Sequence, residues 1–455
     1  DNFVPQHFLL AMDLGPSASW QRYLRSIKSL QHQRIQDLQA AENIVYVILE
    51  RVNAQDCRFL VDFSRDHVMF EYTMRTFMEE MDMEVPLWVD SSGLVLEEDS
   101  EVRYQLDGVP HKQPLGKEYC YLGLPKEEGD FKKWSTEDVF HTIPSSKCKG
   151  HVVPGRVLER LKQLVIGAIV YCQQSAMIMP GDVSAVQLNG KGSQIPLKVR
   201  CGFRMIQVNI IPVVKRVVGP LKVDRGQSGV HFPKRILEQV TAEGIDIMAA
   251  TYYHWRYSYC RPVWKFLDSL GNLDGHRLES LCLLDRVNLD NWCSADKKGG
   301  LTFLHLQTAL LWAVEFFPSL EDWSMLELSA YRVLVVLLRC LATQNLPSFF
   351  QPQLNLFQGE ELSLKALFLK VLEFTDCPEQ FLQIHITHLL PKQHHRVDED
   401  VMMLLRMADP EGTYWNTAYF DVLLQKLQVF HSKDSGRIAA MEAVLSKATR
   451  QEKNE

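Results

Sequence analysis

Two apolar helical patterns set back to back between Leu301 and Leu341 limit what this chain can fold into more than any other stretch does. In the first, Phe303, Leu306, Leu310, Leu311 and Val314 recur at helix spacing, and the pattern stops at Phe317-Pro318, where proline biases the residue before it away from helix. In the second, Leu326, Val333, Val336, Leu337 and Leu341 form an apolar side too broad to face water, with Asp322 or Ser324 as the expected cap. The pair predicts a buried helix hairpin. After it, Leu346 to Gly359 carries Pro347 and Pro352, which block helix, and Phe349, Phe350 and Phe357, which need pockets.

A buried hairpin requires a sizeable domain around it, and 455 residues leave room for two or three. Hydrophobic residues make up 46% and charged residues 23%, as in ordinary globular chains. The net charge of -7 argues against a general nucleic-acid-binding face, so no DNA partner is expected. The ten cysteines show no Cys-x-x-Cys pair or other zinc-ligand spacing, which reads as reduced thiols in the cytoplasm or nucleus. Purely apolar runs such as Val333 to Leu338 fall far short of the roughly 20 residues of a membrane span. No secretory leader pattern is visible where the sequence begins, at Asp1.

From Ser17 a long helix is expected, marked by Trp20, Leu24, Ile27, Leu38, Val45, Ile48 and Val52. Met81 to Asp90 alternates as a strand, with Met81, Met83, Val85 and Leu87 on one face and Asp82 and Glu84 together on the other. Pro86 suggests an edge or bulged strand. Phe203 to Val214 reads as a second strand, with Ile206, Val208 and Ile210 on one side and Gln207 and Asn209 on the other. Lys215, Arg216 and Lys222 beyond it read as a solvated edge. Trp134 to Asp138 resembles a helix start, and Val157 to Cys172 an amphipathic helix. The Gly-Lys-Gly-Ser of Gly190 to Ser193 lacks the spacing of a phosphate loop and reads as a hairpin turn. Past Gly359 the pattern is helical: Leu362 to Phe374, about Thr413 to Phe430, and a last helix capped by Ser435 with Ile438, Met441 and Val444 inward. His385, His388, His394 and His395, with Asp398 and Asp400 near, have no regular ligand spacing and read as surface or core histidines.

The helix with Leu311-Trp312, then Pro318, Asp322 and Trp323, the long apolar helix, and Phe350 to Asn355-Leu-Phe-Gln-Gly359 together resemble the C-terminal helical domain of the Mab-21-like family. The similarity extends back to about Trp20. It implies the α+β, bilobed nucleotidyltransferase-like fold that this family shares with cyclic GMP-AMP synthase, with a mixed sheet, a long spine helix and a helical lobe. The implied organisation is an N-terminal segment 1–16, a nucleotidyltransferase-like domain 17–273, the family's helical domain 274–360 and a helical extension 361–455.

In catalytic members an acid-x-acid pair on one strand and a third acid on a neighbouring strand hold divalent metals. Asp82 and Glu84 match the pair, but the third position holds Asn209, an amide with no charge. The family's glycine-serine turn upstream is replaced by Val68 to Arg75, which includes Glu71. Pro262-Val263 stand where an acid follows the Trp255 to Tyr259 segment, and Leu278 and Glu279 stand where lysines follow Arg277. The zinc thumb of cyclic GMP-AMP synthase is missing. The resemblance with these losses implies a pseudo-nucleotidyltransferase: Asp82, Glu84 and Asn209 are vestigial positions, no catalytic residue or cofactor is expected, and the protein regulates cell differentiation or development through protein partners. The alternative is a nucleotidyltransferase making a nucleotide second messenger after ligand activation, or a nucleotide sensor without turnover. In that case Asp82 and Glu84 would bind magnesium or manganese.

Overall fold

The computed structural model describes residues 16–63, 75–77, 79–90, 93–98, 118–126, 130–142, 147–185, 193–218, 238–240, 242, 244–294, 299–358, 362–382, 395–409 and 411–452. Val68 to Met74, the Gly-Lys-Gly stretch, Lys222, His385, His388 and His394, read above from the sequence, lie outside them. The chain divides into two compact units. One, within Gln33–Lys222 and Arg235–Leu267, holds the sheet; the other, Asp268–Glu455 with the start of the first helix up to His32, is helical.

The strands of the sheet unit are β1 (Arg75–Phe77), β2 (Glu80–Pro86), β3 (Val95–Glu98), β4 (Tyr119–Leu124), β5 (Phe140–His141), β6 (Gly150–Val152), β7 (Val183–Ala185), β8 (Ile195–Cys201), β9 (Arg204–Val218), β10 (Ile245–Ala249) and β11 (Trp255–Ser258). They run in the order β1-β2-β9-β10-β11-β4-β6-β5, with β3 also on β4, and β8 on β9 carrying β7. The sheet is mixed because β2 runs parallel to β9, while the other pairs are antiparallel. One core joins Met81, Met83 and Val85 of β2 and Ile206, Val208 and Ile210 of β9 to Leu38, Val45 and Ile48 of α1 (Pro16–Gln55) and to Leu161 and Val165 of α2 (Pro154–Gln174). The alternation read from the sequence therefore sends Asp82, Glu84 and Asn209 to the opposite face.

Two prolines show how the ladder absorbs a missing N–H. Pro86 is the last residue of β2, opposite Val213 of β9, so β2 is not an edge strand; it lies between β1 and β9. Along β9, the Gln207 N–H and the Val213 carbonyl turn toward the β2 side, so Pro212 turns its backbone to the other side. There β8 pairs as far as Ile210 and β10 takes over at Val213, so no ladder bond is lost at the step. Trp134 ends a 3-10 turn (Asp130–Trp134) and does not start a helix; Thr136 and Asp138 accept from the Arg58 guanidinium.

The helical unit follows α3 (Cys260–Gly271), through which the division between units passes, and contains α4 (Arg277–Val287), α5 (Phe303–Phe316), α6 (Leu326–Ala342), α7 (Leu364–Asp376), α8 (Glu399–Arg406), α9 (Thr417–Lys426) and α10 (Ser435–Glu452). The hairpin is α5 and α6. Thr302 caps α5 in a reciprocal box with His305, whereas Met325 heads α6 with no side-chain cap. Asp322, an expected cap, is used differently: it accepts from Arg332 of α6 at 2.6 Å and from Arg437 of α10 at 3.0 Å. The extended segment closes on itself through the Asn355 side chain, which accepts from the Leu346 and Phe357 N–H groups, and Phe349, Phe350 and Phe357 are all buried. Later helices start differently from their sequence patterns. α9 begins only at Thr417, where Asn416 accepts from the Tyr419 N–H, and α10 is capped by Asp434, not Ser435, with Ile438 exposed. No helix among the described residues is long and apolar enough to cross a membrane.

Candidate functional site

Parallel pairing of β2 with β9 sets Asp82 directly beside Asn209, with Glu80 beside Gln207 and Glu84 beside Ile211. The period of two then places Glu80, Asp82, Glu84, Gln207 and Asn209 on one face. The two carboxylates and the amide singled out in the sequence do converge, and Glu80 and Gln207 join them.

Asn209 is almost fully buried, and its amide lies between two acids. Its Nδ2 donates to Glu80 Oε1 at 2.7 Å and to Asp82 Oδ1 at 2.9 Å. Its Oδ1 accepts from Gln207 Nε2 at 3.0 Å, and the same Nε2 donates to Glu80 at 3.1 Å. The chain of donors fixes the amide's sense, because turning it over would set its carbonyl against two carboxylates. Asn209 therefore presents hydrogens to the acids where a third metal ligand would present an oxygen lone pair.

Glu84 is neutralised another way. Lys215 of β9 donates its ammonium to Glu84 and reaches Asp246 of β10 at 3.5 Å and Asp62 at 3.9 Å. Asp246 is 2% exposed and accepts at 2.6 Å on each oxygen from one nitrogen of Arg261, in the first turn of α3. Lys215 is thus an internal counter-ion and not part of a solvated edge. Arg261 enters just where the sequence lacks the family's acid, and the salt bridge it makes tethers the helix that Pro262 continues.

Burial pushes the Glu80 carboxyl up; the Asn209 donor opposes this, the Asp82 charge adds to it, and the Gln207 donor opposes it. Cys260, beside this face, has its thiol pushed up to about 11 by burial and by the charges of Glu84 and Asp82. The thiol is therefore held protonated and is no nucleophile at neutral pH.

Glu80, Gln207, Asp246 and Arg261 escape a reading centred on the acid pair. Gln207 was visible as the residue two before Asn209 on the same strand face, and Asp246 as the lone charge inside Ile245 to Ala249, which requires a buried partner. Nothing local marks Arg261 as that partner. The Gly275 to Leu281 stretch belongs to the helical unit, where Glu279 pairs with Lys28 and His276, and Arg277 is buried against Trp323.

Comparison with known proteins adds a family to this geometry. The Mab-21 protein HhH/H2TH-like domain matches residues 283–373, which contain the α5–α6 hairpin and most of α7. Protein mab-21-like 3 of Xenopus laevis is 26% identical over 262 residues, covering 57% of this chain and 67% of that protein. Protein mab-21-like 3 of Danio rerio is 24% identical over 237 residues, covering 51% of this chain and 59% of that protein.

Proposed function

This chain belongs to the Mab-21-like family, with its nucleotidyltransferase-like α+β fold, and from that premise we propose that it is a non-catalytic member acting through protein contacts. The observation that carries the proposal is the Asn209 amide bridging Glu80 and Asp82 while Lys215 occupies Glu84. A phosphoryl-transfer site gathers negative charge to hold divalent cations, which in turn neutralise the transferred phosphate. Here the donor set does not fit such an ion: one amide and one ammonium already satisfy the acids, and Asn209 offers no charge and no base. A role in cell differentiation or development is proposed on family resemblance, and protein partners on the loss of chemistry at this face.

The test is turnover. The purified chain, incubated with ATP and GTP and with magnesium or manganese, is expected to release no pyrophosphate and form no cyclic or linear nucleotide. Product that disappears in an Asp82→Ala, Glu84→Ala double variant would overturn the proposal and support the nucleotidyltransferase reading, which rests on those two acids sharing one strand face.

A further inference from the structure

Three metal-ligating side chains converge elsewhere on the same sheet, on β3 and β6 and not on β2 or β9. Glu97 on β3, Cys148 just before β6 and His151 on β6 are 2%, 0% and 1% exposed. The register brings two of them together, since Glu97 stands opposite Tyr121 and His151 opposite Gly123, two residues further along β4. Gly123 makes room for the third: a Cβ there would lie 3.0 Å from both Cβ and Sγ of Cys148.

The donor atoms form a triangle, with Cys148 Sγ 3.4 Å from Glu97 Oε2 and 3.5 Å from His151 Nε2, and Nε2 2.5 Å from Oε2. His151 Nε2 and Glu97 Oε2 share one hydrogen, and the thiol has one weak hydrogen for two neighbours. Sγ stands from the other two donors at close to the roughly 3.5 Å that separates sulfur from nitrogen or oxygen on a tetrahedral zinc ion with bonds of about 2.0–2.3 Å, and Nε2 and Oε2, drawn together by their hydrogen bond, would open to about 3.3 Å once the ion replaces it.

We propose that Glu97, Cys148 and His151 bind one zinc ion, as a structural site that fastens β3 and the Cys148 segment to β6. Thiolate and carboxylate together balance its two charges, so the buried site is neutral when loaded. On binding, the Cys148 thiol releases its proton to solvent, and the hydrogen His151 shares with Glu97 leaves that contact so that neutral His151 carries its one hydrogen on Nδ1 and gives the Nε2 lone pair to the ion in place of the bond to Glu97. His141, opposite His151 on β5, is an imidazole placed on the same face to approach the fourth position. Zinc suits this mixture of sulfur, nitrogen and oxygen better than magnesium or calcium, which take oxygen ligands.

Metal content and spectroscopy test the site in the full chain. Protein from zinc-supplemented cells should hold about one zinc per chain after dialysis, and Cys148→Ser and His151→Gln should each lower it by about tenfold or more. Cobalt(II) introduced in place of zinc should give a thiolate-to-metal absorption band that Cys148→Ser abolishes. Cys377→Ser should leave both readings unchanged, because Cys377 belongs to another cluster, with Asp376 and largely exposed His395. A wild-type chain that holds no zinc and gives no cobalt–thiolate band overturns the proposal, whether or not the variants fold. Loss of the metal in Cys377→Ser but not in Cys148→Ser overturns it equally.

Discussion

Each unit buries acids beside cations, and the two differ in what surrounds those charges. In the helical unit, Asp322 and Asp421 are held by Arg332 and Arg437 in a network tying α6, the turn before it, α9 and α10. Arg332 is fully buried between the rings of Phe317 and Phe430, and its Nε and Nη1 find no hydrogen-bond acceptor among the described residues. Desolvation pushes that guanidinium down to about 10. In the sheet unit, Glu84 and Lys215 keep 12% and 25% of their side-chain surface, and an amide does part of the work that a cation does elsewhere. Removing Asp322 strands the Arg332 charge where water cannot reach it. In the sheet unit, water and ions can take up much of what is lost.

The largest effect should come from Asp322→Ala, which leaves Arg332 and Arg437 facing each other without their shared acid. Urea denaturation at pH 7 should show a loss of about 3–5 kcal/mol; a loss below 1 kcal/mol would put the two networks on the same footing.

A titration ranks next. His305 accepts from the Thr302 N–H through Nδ1 and meets the Leu356 carbonyl through Nε2, so burial keeps it neutral and pushes it down to about 4. Between pH 6.5 and 4 the unfolded chain binds the proton and the folded chain does not. The stability this group contributes is therefore intact above about pH 6.5 and falls by about 3 kcal/mol as pH drops toward 4. His305→Gln should remove that part of the slope when unfolding is followed across the range.

Asp246→Ala should cost about 2 kcal/mol, less than Asp322→Ala because Arg261 and Lys215 retain access to water. The smallest change is the most informative for the sheet face. Asn209→Asp replaces a shared donor with a third carboxylate and should cost about 1–2 kcal/mol at pH 7. Because the Glu80 carboxyl is already pushed up, the deficit should shrink as acid protonates it. Millimolar manganese should also restore stability to this variant and not to the wild type. A wild-type chain stabilised by manganese, with the effect lost in Asp82→Ala, would show that the acids still hold metal.

Periodicity carried much of the fold into view. The α5–α6 hairpin, the spine helix and the strand faces around Asp82 and Asn209 all follow from spacing of apolar residues, because burial acts on every turn and every second residue. Helix starts were less legible. Asp322 has the chemistry of a cap, but two buried arginines claim it, and such long-range competition leaves no local trace. At the sheet face, Lys215 looks like a surface lysine until β10 brings Asp246 to it. Cysteines searched only against other cysteines hide Cys148-x-x-His151, whose partner Glu97 lies 51 residues earlier and becomes visible only through the pairing of β3, β4 and β6.

The acids of the sheet face find partners within the chain, Asn209 for Glu80 and Asp82 and Lys215 for Glu84. The most direct measurement is a thermal-shift titration of the wild-type protein with each ribonucleoside triphosphate, with and without magnesium or manganese. A ligand at a hundred times its dissociation constant would add about 2.7 kcal/mol of stability, a readily seen shift. A sheet face whose acids are held in this way predicts no shift under any condition. A rise in melting temperature that needs both triphosphate and metal, and that vanishes in the Asp82→Ala, Glu84→Ala variant, would contradict it.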